Sequence, residues 1–146
     1  MSALIFDRFV VDWTPKGGCT VVLKMWYEHA GLLDTVLDHS SWIHDWRCQK
    51  GTHMHYKPGK TNVNNAVFIK FVRNPYSRAV SSYIHASRSH ILHALADGGN
   101  NMTFKHFILE HLPSRMQENP HWKPQHMCHG VAEFDHIIKI EELEDK

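Results

Sequence analysis

Residues 14–24, TPKGGCTVVLK, place a lysine and two glycines directly before a segment that is typical of a helix. The preceding residues 8–13 (RFVVDW) are mostly β-branched or aromatic, which predicts a strand that stops at Thr14 and Pro15. From Thr20 onward, apolar residues recur at steps of three and four, which predicts a helix. These apolar residues are Val22, Met25, Trp26, Leu33, Val36 and Leu37. The predicted order is therefore strand, glycine loop and helix.

A glycine-rich turn between a strand and a helix is suited to binding an anion. Such a turn points several backbone N–H groups at one spot, and the helix dipole adds positive potential there. Lys16 contributes a full positive charge, and Thr20 offers a hydroxyl in the first helical turn. Because Lys16 precedes both Gly17 and Gly18, the loop differs from a Walker A motif, in which the lysine follows the last glycine.

A second strand and helix are predicted further along the chain. Residues 67–72 (VFIKFV) form a near-continuous apolar run of the kind that is buried in a parallel sheet. In the segment that follows, RNPYSRAVSSY, Asn74 is a good N-cap and Pro75 suits the first helical position. A helix is therefore expected from there to about Leu95, and Arg73 is placed at the end of the strand.

Two later segments complete the predicted elements. Thr103 is expected to cap a third helix that runs through Leu112, and residues 134–140 (FDHIIKI) predict a strand before an acidic end. Strands that alternate with helices favour an α/β fold with a layered sheet. Since no repeat or linker divides the chain, residues 1–146 are expected to form one domain.

Composition limits the classes of function. Sixteen basic and fifteen acidic residues give a formal charge of +1, which argues against a role in binding nucleic acid. No run approaches the ~18 apolar residues of a membrane span, and the first ten residues lack the pattern of a signal peptide. Three widely spaced cysteines, Cys19, Cys48 and Cys128, favour a reducing compartment over a disulfide framework. A cytoplasmic protein is the expectation.

Several motifs together resemble those of one enzyme family, the sulfotransferases. Residues 15–20 (PKGGCT) resemble the family's 5′-phosphosulfate loop, closest to the P-K-x-G-C-T form of carbohydrate sulfotransferases. Residues 73–83 (RNPYSRAVSSY) resemble its 3′-phosphate motif, in which a serine, here Ser81, follows the arginine by eight residues. Residues 119–128 (NPHWKPQHMC) are similar to the H-W-x-P segment of the carbohydrate enzymes. Residues 134–145 (FDHIIKIEELED) are similar to a strand and acidic segment that follow it in those enzymes.

This resemblance implies an α/β fold with a three-layer, P-loop-like parallel sheet flanked by helices. It also implies 3′-phosphoadenosine 5′-phosphosulfate as the sulfate donor, with no metal. The 3′-phosphate would be bound by Arg73 and Ser81, with Arg78 as a third contact one turn before Ser81. The residues that would hold the 5′-phosphosulfate are Lys16, Gly17, Gly18, Cys19 and Thr20.

The implied reaction is in-line attack of an acceptor hydroxyl on sulfur, which leaves adenosine 3′,5′-bisphosphate. Lys16 would stabilise the charge that builds on the bridging oxygen. A histidine near neutral pKa suits the role of base, and the first of two hypotheses is His55. Together with His53 it forms a His-x-His segment that resembles the catalytic region of heparan and uronyl 2-O-sulfotransferases. The second is His121, in the H-W-x-P segment that lies near the active cleft in the family. The implied acceptor is a carbohydrate.

The sequence also departs from the family pattern. Cytosolic relatives place a tryptophan after the threonine of the loop to stack on adenine, whereas this chain has Val21 and Val22. The chain ends soon after the acidic segment, where family members usually continue through further helices. A minimal enzyme, a fragment that lacks the C-terminal part of the family domain and a degenerate binder all stay open. Carbohydrate sulfotransferases are generally anchored in the Golgi, and an excised lumenal domain is the alternative to a cytoplasmic enzyme.

Two other classes of protein stay open. A zinc-stabilised binding module would draw its ligands from two His/Cys clusters, neither of which has the paired C-x₂-C or H-x₃₋₅-H framework of a zinc finger. The residues of these clusters are Cys48, His53, His55, His121, His126, Cys128 and His129. A nucleotide kinase or other NTPase would require a Gly-Lys-Ser/Thr order in its phosphate loop, which residues 14–20 lack. It would also require an acidic residue at a strand end to bind magnesium, and the sequence shows no obvious one.

Overall fold

A four-stranded sheet forms the centre of the computed structural model, which describes residues 3–49, 55–56, 60–88, 102–117, 119–127 and 133–143. In sheet order the strands are β1 (Leu4–Phe6), β2 (Phe9–Trp13), β3 (Val67–Val72) and β4 (His136–Lys139). Strands β2, β3 and β4 are mutually parallel, whereas β1 runs antiparallel to β2. The α/β class is confirmed, and the expectation of a wholly parallel sheet is corrected at β1.

The reversal at β1 comes from a tight hairpin. Phe6 pairs with Phe9, so that only Asp7 and Arg8 connect the two strands. Asp7 adopts the left-handed conformation with φ of +52°, which two-residue hairpins favour. With only three residues, Leu4–Phe6, β1 is too short to produce a recognisable period-two pattern.

The helices follow the strands in the expected alternation. They are α1 (Cys19–His29), α2 (Leu33–His39), α3 (Ile43–Gln49), α4 (Pro75–Arg88), α5 (Phe104–His106) and α6 (Leu112–Arg115). A π-helical segment, Phe107–His111, joins α5 to α6. The apolar stripe that predicts one helix after Thr20 is shared between α1 and α2, because Gly31 between them has a φ of +65°. Of the helices in the part of the chain that the structure describes, none combines the length and apolar composition needed to cross a membrane.

The two predicted N-caps are confirmed. The Asn74 side chain accepts hydrogen bonds from the backbone N–H groups of Tyr76 (2.9 Å) and Ser77 (3.3 Å) at the start of α4. The Thr103 hydroxyl accepts one from the N–H of His106 (3.2 Å) at the start of α5. The predicted end of the first of these helices, near residue 95, lies outside the described residues.

Helix α1 covers one face of the sheet. Its Val22 and Trp26 belong to a buried cluster with Val11, Trp13 and Phe71 from β2 and β3. The Trp26 indole N–H also donates to the backbone carbonyl of Ile5 on β1 (3.1 Å). This packing fixes the angle at which α1 leaves the glycine loop.

The opposite face of the sheet contains a buried ion pair. Lys70 Nζ lies 2.6 Å from Asp12 Oδ2, and the two side chains are 2% and 1% exposed. The two residues are direct partners across β2 and β3. Because Asp12 lies two residues before Thr14, the pair fixes the register of the two strands next to the glycine loop.

The buried pair makes a testable prediction about stability. Lys70→Met removes the cationic partner of a buried carboxylate, and we expect the free energy of unfolding to fall by about 3–5 kcal/mol in urea denaturation. The double variant Asp12→Leu/Lys70→Met should recover most of that loss, because no buried charge remains. If the single and double variants lost the same free energy of unfolding, the loss would not come from an unpaired buried charge.

An exposed pair provides the control. Lys139 and Glu142 form an ion pair of 3.0 Å with side chains that are 66% and 63% exposed. Lys139→Met should change the free energy of unfolding by less than about 1 kcal/mol.

Candidate functional site

The candidate site lies where the three parallel strands end. The glycine loop, residues 14–18, follows β2, Arg73 follows β3, and the 3₁₀ turn Ile140–Glu142 follows β4. The carboxyl ends of parallel strands meet at one edge of a sheet, which is where ligands bind in open α/β folds. The two motifs that resemble phosphate sites are therefore brought to the same edge.

The glycine loop turns tightly into α1. The N–H of Gly17 donates to the carbonyl of Thr14 (2.9 Å), and the first helical bond runs from the N–H of Val22 to the carbonyl of Gly18 (3.0 Å). Lys16 has a φ of +64°, an unusual left-handed conformation for a residue other than glycine. A helix leaves its first N–H groups without acceptors, and Gly18 has no side chain to cap them. The N–H groups of residues 19–21 are therefore available to an anion.

Neither glycine of the loop has room for a side chain, because other atoms lie too close to its Cα. A Cβ on Gly17 would lie 2.8 Å from Thr14 Oγ1 and 2.9 Å from the Thr14 carbonyl oxygen. A Cβ on Gly18, whose φ is +91°, would collide with Ile140 Cδ1 and lie 3.0 Å from Ile140 Cγ1. The loop is thus packed against the end of β4 as well as against its own first residue.

Helix α4 connects the loop to the turn that contains His121. Arg78 is 7% exposed. Its Nε donates to the carbonyl of Pro15 (3.1 Å), and its Nη2 donates to the carbonyl of His121 (3.3 Å). The Ser82 hydroxyl also donates to the His121 carbonyl (2.9 Å). Arg78 therefore bridges two backbone segments and does not line the cavity that contains Arg73, unlike the phosphate contact expected of it.

Gln125 is a site residue that sequence reasoning missed. Its side-chain amide accepts from the N–H of Arg73 (2.9 Å) and donates to the carbonyl of Arg73 (2.6 Å). This paired contact holds the backbone from which the Arg73 side chain projects. Glu141 accepts from the N–H of Asn74 (2.8 Å), and this bond is the main reason why the pKa of the Glu141 carboxyl is lowered.

The first of two cavities is lined by arginines. This arginine cavity has a volume of about 300 Å³ and lies between the loop and one face of α4. Arg73 Nη1 donates to the carbonyl of Lys16 (3.4 Å) beside it. The polar residues that line the cavity are Lys16, Arg73, Ser77, Ser81, His85 and Arg88. The predicted pair Arg73 and Ser81 is thus brought together, and Arg88 is a further cation that the motif did not indicate.

The second cavity lies on the other side of Lys16. This histidine cavity has a volume of about 520 Å³ and lies between the loop, α1 and the turn from α2 to α3. Its polar and aromatic lining includes Lys16, Thr20, Lys24, Trp42, His85 and His121. Because Lys16 and His85 line both cavities, the two cavities meet at these side chains.

Two stacked imidazoles form one wall of the histidine cavity. The rings of His85 and His121 are 4.5 Å apart between centroids and only 9° from parallel. The pKa of His121 is lowered to about 4, mainly by burial and also by the positive charges of His85, Lys16 and Arg78. Burial is also the main cause of the lowered pKa of His85, followed by Lys16. With His121 neutral at pH 7, its imidazole can accept a proton.

Lys16 lies among other cations. Burial lowers the pKa of its ammonium group, and Arg73 and Arg88 lower it further, whereas Cys19 acts in the opposite direction. The part of this lowering that comes from Arg73 and Arg88 reflects repulsion between like charges. An anion bound between them would relieve that repulsion.

The structure brings only one of the two predicted bases to Lys16. His55 forms an isolated bridge with Leu4, and the N–H of Tyr56 donates to the carbonyl of Ala3 (3.1 Å). These contacts place His55 beside β1, at the edge of the sheet, and it lines neither cavity. His121 lines the histidine cavity, as does His85, which sequence reasoning did not single out.

The two His/Cys clusters considered for zinc are only partly described. His53, Cys128 and His129 lie outside the described residues. Within the described part of the chain, no group of three or more His, Cys, Asp or Glu side chains is arranged to hold a metal ion.

The packing of Gly18 against Ile140 can be tested by comparing two glycines. Gly18→Ala and Gly31→Ala both place a side chain at positive φ, at a cost of about 1–2 kcal/mol, but only the first meets a neighbour. We therefore expect Gly18→Ala to lower the free energy of unfolding by at least about 1 kcal/mol more than Gly31→Ala does, as in overpacked sites. Equal losses in urea denaturation would show that the loop is not packed tightly against β4.

The electrostatics of the imidazole pair can be tested by NMR titration of the histidine rings. Lys16→Met removes a positive charge, so the pKa values of both His85 and His121 should rise. They should stay below 6.5, because burial is the largest cause of both shifts. Lys105→Met, an exposed change on α5, should leave both pKa values unchanged. Unchanged or lower values in Lys16→Met would contradict the proximity of Lys16 to the pair.

The low pKa of His121 also has a consequence for stability. The unfolded chain takes up a proton near pH 6.5, whereas folded His121 does so near pH 4. The contribution of neutral His121 to stability is therefore complete above pH 6.5 and is lost as the pH falls towards 4.

Comparison with known proteins identifies the family. The sequence profile of the sulfotransferase family matches residues 7–146, which is most of the chain. Searches of curated proteins and of solved structures returned no match. The family match includes the glycine loop, the Arg73 motif, the His121 segment and the 3₁₀ turn after β4. The chain therefore belongs to the sulfotransferase family.

Proposed function

We propose that this protein transfers the sulfuryl group of 3′-phosphoadenosine 5′-phosphosulfate to the hydroxyl of an acceptor, and that the acceptor is a carbohydrate. The observation that carries the proposal is the meeting of two cavities at Lys16, at the carboxyl ends of the parallel strands. One cavity is rich in cations, and the other contains a histidine of lowered pKa. A transferase with an anionic donor and a hydroxyl acceptor requires a cationic site for the donor and, beside it, a group that can accept the proton of the hydroxyl.

The donor has anions at both ends of one nucleoside, and each requires its own binding site. The free N–H groups at the start of α1, together with Lys16 and the Thr20 hydroxyl, suit the 5′-phosphosulfate. Arg73 and Ser81 suit the 3′-phosphate, since a guanidinium binds phosphate oxygens in a fixed, forked geometry. Arg88 lines the same cavity and adds to its positive potential.

The side chains that face the histidine cavity could perform the transfer. Lys16 would stabilise the negative charge that develops on the oxygen between phosphorus and sulfur as the sulfur–oxygen bond breaks. His121 would accept the proton of the acceptor hydroxyl as the new oxygen–sulfur bond forms. His85 would restrict the ring of His121 by stacking against it at 4.5 Å. The low pKa of His121 keeps the base neutral until the proton is transferred.

A P-loop-like, three-layer arrangement of the sheet and helices is part of the same proposal. A strand, a glycine loop and a helix at the edge of a parallel sheet are the elements of a P-loop-like, three-layer arrangement. In this arrangement Arg78 is assigned to hold the loop against the His121 turn through its two carbonyl contacts. The carbohydrate acceptor is supported by the likeness of the loop and of the His-Trp segment to carbohydrate sulfotransferases.

Calorimetric titration with adenosine 3′,5′-bisphosphate and with ADP tests the proposal. We expect the bisphosphate to bind at least tenfold more tightly than ADP, a difference of about 1.4 kcal/mol, because only the bisphosphate places a phosphate in the arginine cavity. Arg73→Ala should abolish most of this preference. Lys16→Ala should reduce turnover more than it reduces bisphosphate binding.

The control is an arginine at the other end of the sheet. Arg8 lies in the hairpin before β2, and Arg8→Ala should leave the preference intact. Equal affinity of the unchanged protein for the two nucleotides would refute the 3′-phosphate site. A preference for ATP with Mg²⁺ would instead favour an NTPase.

A further inference from the structure

A third cavity has no part in the proposed donor site. This α4–α6 cavity has a volume of about 330 Å³ and lies between α4, α6 and the turn of residues 121–126. It lies against the face of α4 that contains Arg78 and Ser82, whereas Ser77 and Ser81 of the same helix line the arginine cavity. Protein interiors are close-packed, and ligand sites commonly have volumes of about 300–1,000 Å³. The α4–α6 cavity therefore has room for a small ligand.

The walls of this cavity are mostly apolar and firmly held. Trp122 is 5% exposed, and edge-to-face contacts with the rings of Phe107 and His111, at 77° and 81°, fix its position. A wall that is already fixed loses little conformational entropy when a flat ring packs on it. The other apolar residues of the lining are Pro75, Ala79, Leu112, Met116 and Pro124.

A buried cation lies in this apolar wall. Arg78 lines the cavity and is 7% exposed. Water screens a buried charge less than an exposed one, and a guanidinium matches the geometry of a carboxylate. Among the described residues that line the cavity, none is acidic. These walls therefore suit a ligand that has a flat apolar body and one carboxylate.

The cavity also touches the side chains that hold the candidate site. Arg78 binds the carbonyls of Pro15 and His121, and Gln125 pairs with both backbone groups of Arg73. Arg78, His121 and Gln125 all line the α4–α6 cavity. A ligand that packs against these side chains would restrict their motion, and the glycine loop and Arg73 would be held more firmly.

We propose that the α4–α6 cavity is an effector site, which takes a small aromatic carboxylic acid and tightens the binding of the donor on the other face of α4. The aromatic ring would pack against Trp122, and the carboxylate would pair with Arg78. Binding of the acid does not depend on the proposed sulfuryl transfer, whereas the effect on the donor rests on that proposed function.

Calorimetry in the absence of nucleotide tests the binding site with three probes. Naphthalene-2-carboxylate has both the ring and the charge, naphthalene-2-carboxamide has the same shape without the charge, and acetate has the charge without the ring. We expect the naphthalene carboxylate to bind about tenfold more tightly than the carboxamide, because only the carboxylate makes a charged pair with the guanidinium. Acetate should show no measurable binding. Equal affinity for the two naphthalene probes, or no binding of either, would overturn the proposal.

Variants on opposite walls locate the bound ring. Ala79→Leu fills the cavity from α4 and should abolish the binding of naphthalene-2-carboxylate. Ala30→Leu makes the same change at an exposed residue after α1 and should leave binding intact. Met116→Ala removes contacts from the opposite wall without crowding α4, and it should weaken both naphthalene probes by the same factor, about fivefold. Unchanged affinities in Ala79→Leu and Met116→Ala would show that the ring binds elsewhere.

Titration with adenosine 3′,5′-bisphosphate tests the effect on the donor site. Saturating naphthalene-2-carboxylate should tighten bisphosphate binding about fivefold, and saturating bisphosphate should tighten binding of the acid by the same factor. Ala79→Leu should remove this coupling. Unchanged affinities would overturn the effector role, and weaker bisphosphate binding would show that the acid occupies the arginine cavity instead. If the unchanged protein does not prefer the bisphosphate over ADP, the proposed function fails, and binding of the acid without nucleotide remains a separate result.

Discussion

The buried guanidinium of Arg78 holds the candidate site together. It binds the carbonyl of Pro15 in the glycine loop and the carbonyl of His121 in a turn far along the chain. Hydrogen bonds from a charged donor contribute about 1.5–3 kcal/mol each, and the cost of leaving this charge buried without them would be larger. Arg78 therefore links the loop that contains Lys16 to the His121 turn, to which Ser82 of the same helix adds a second hydrogen bond.

Backbone contacts of the same kind extend from Arg78 to the rest of the site. Gln125 pairs with both backbone groups of Arg73, and Glu141 binds the N–H of the next residue. Ile140 packs against Gly18 from the end of β4. The side chains that face the cavities project from backbone that is held on several sides, as a binding site for a compact anion requires.

Much of the strand and helix pattern could be predicted, because its causes are local. Asn74 and Pro75 lie next to the helix that they start, and the glycine loop lies next to the helix whose N-terminus it exposes. The apolar run of β3 is typical of a parallel strand inside a sheet, and β3 lies between two parallel neighbours. In contrast, β1 has three residues, and its direction depends on a two-residue turn at Asp7. No pattern of hydrophobicity marks so short a strand.

The residues of the site that could not be predicted depend on long-range packing. Gln125 reaches Arg73 across 52 positions in the sequence, and such a contact leaves no local pattern. His85 is one of fourteen histidines, and it is distinguished only because α4 places its ring against His121. A motif indicates His55 as a base, but the pairing of His55 with β1 depends on the strand that the sequence does not reveal.

The left-handed backbone of Lys16 places stability and function in opposition at one position. A side chain at a φ of +64° destabilises the folded state, and glycine would adopt that conformation more easily. The Lys16 side chain, however, lines both cavities, and a glycine would remove its charge from both. The left-handed backbone at Lys16 therefore costs stability at the position to which the proposed function assigns the charge of the leaving group.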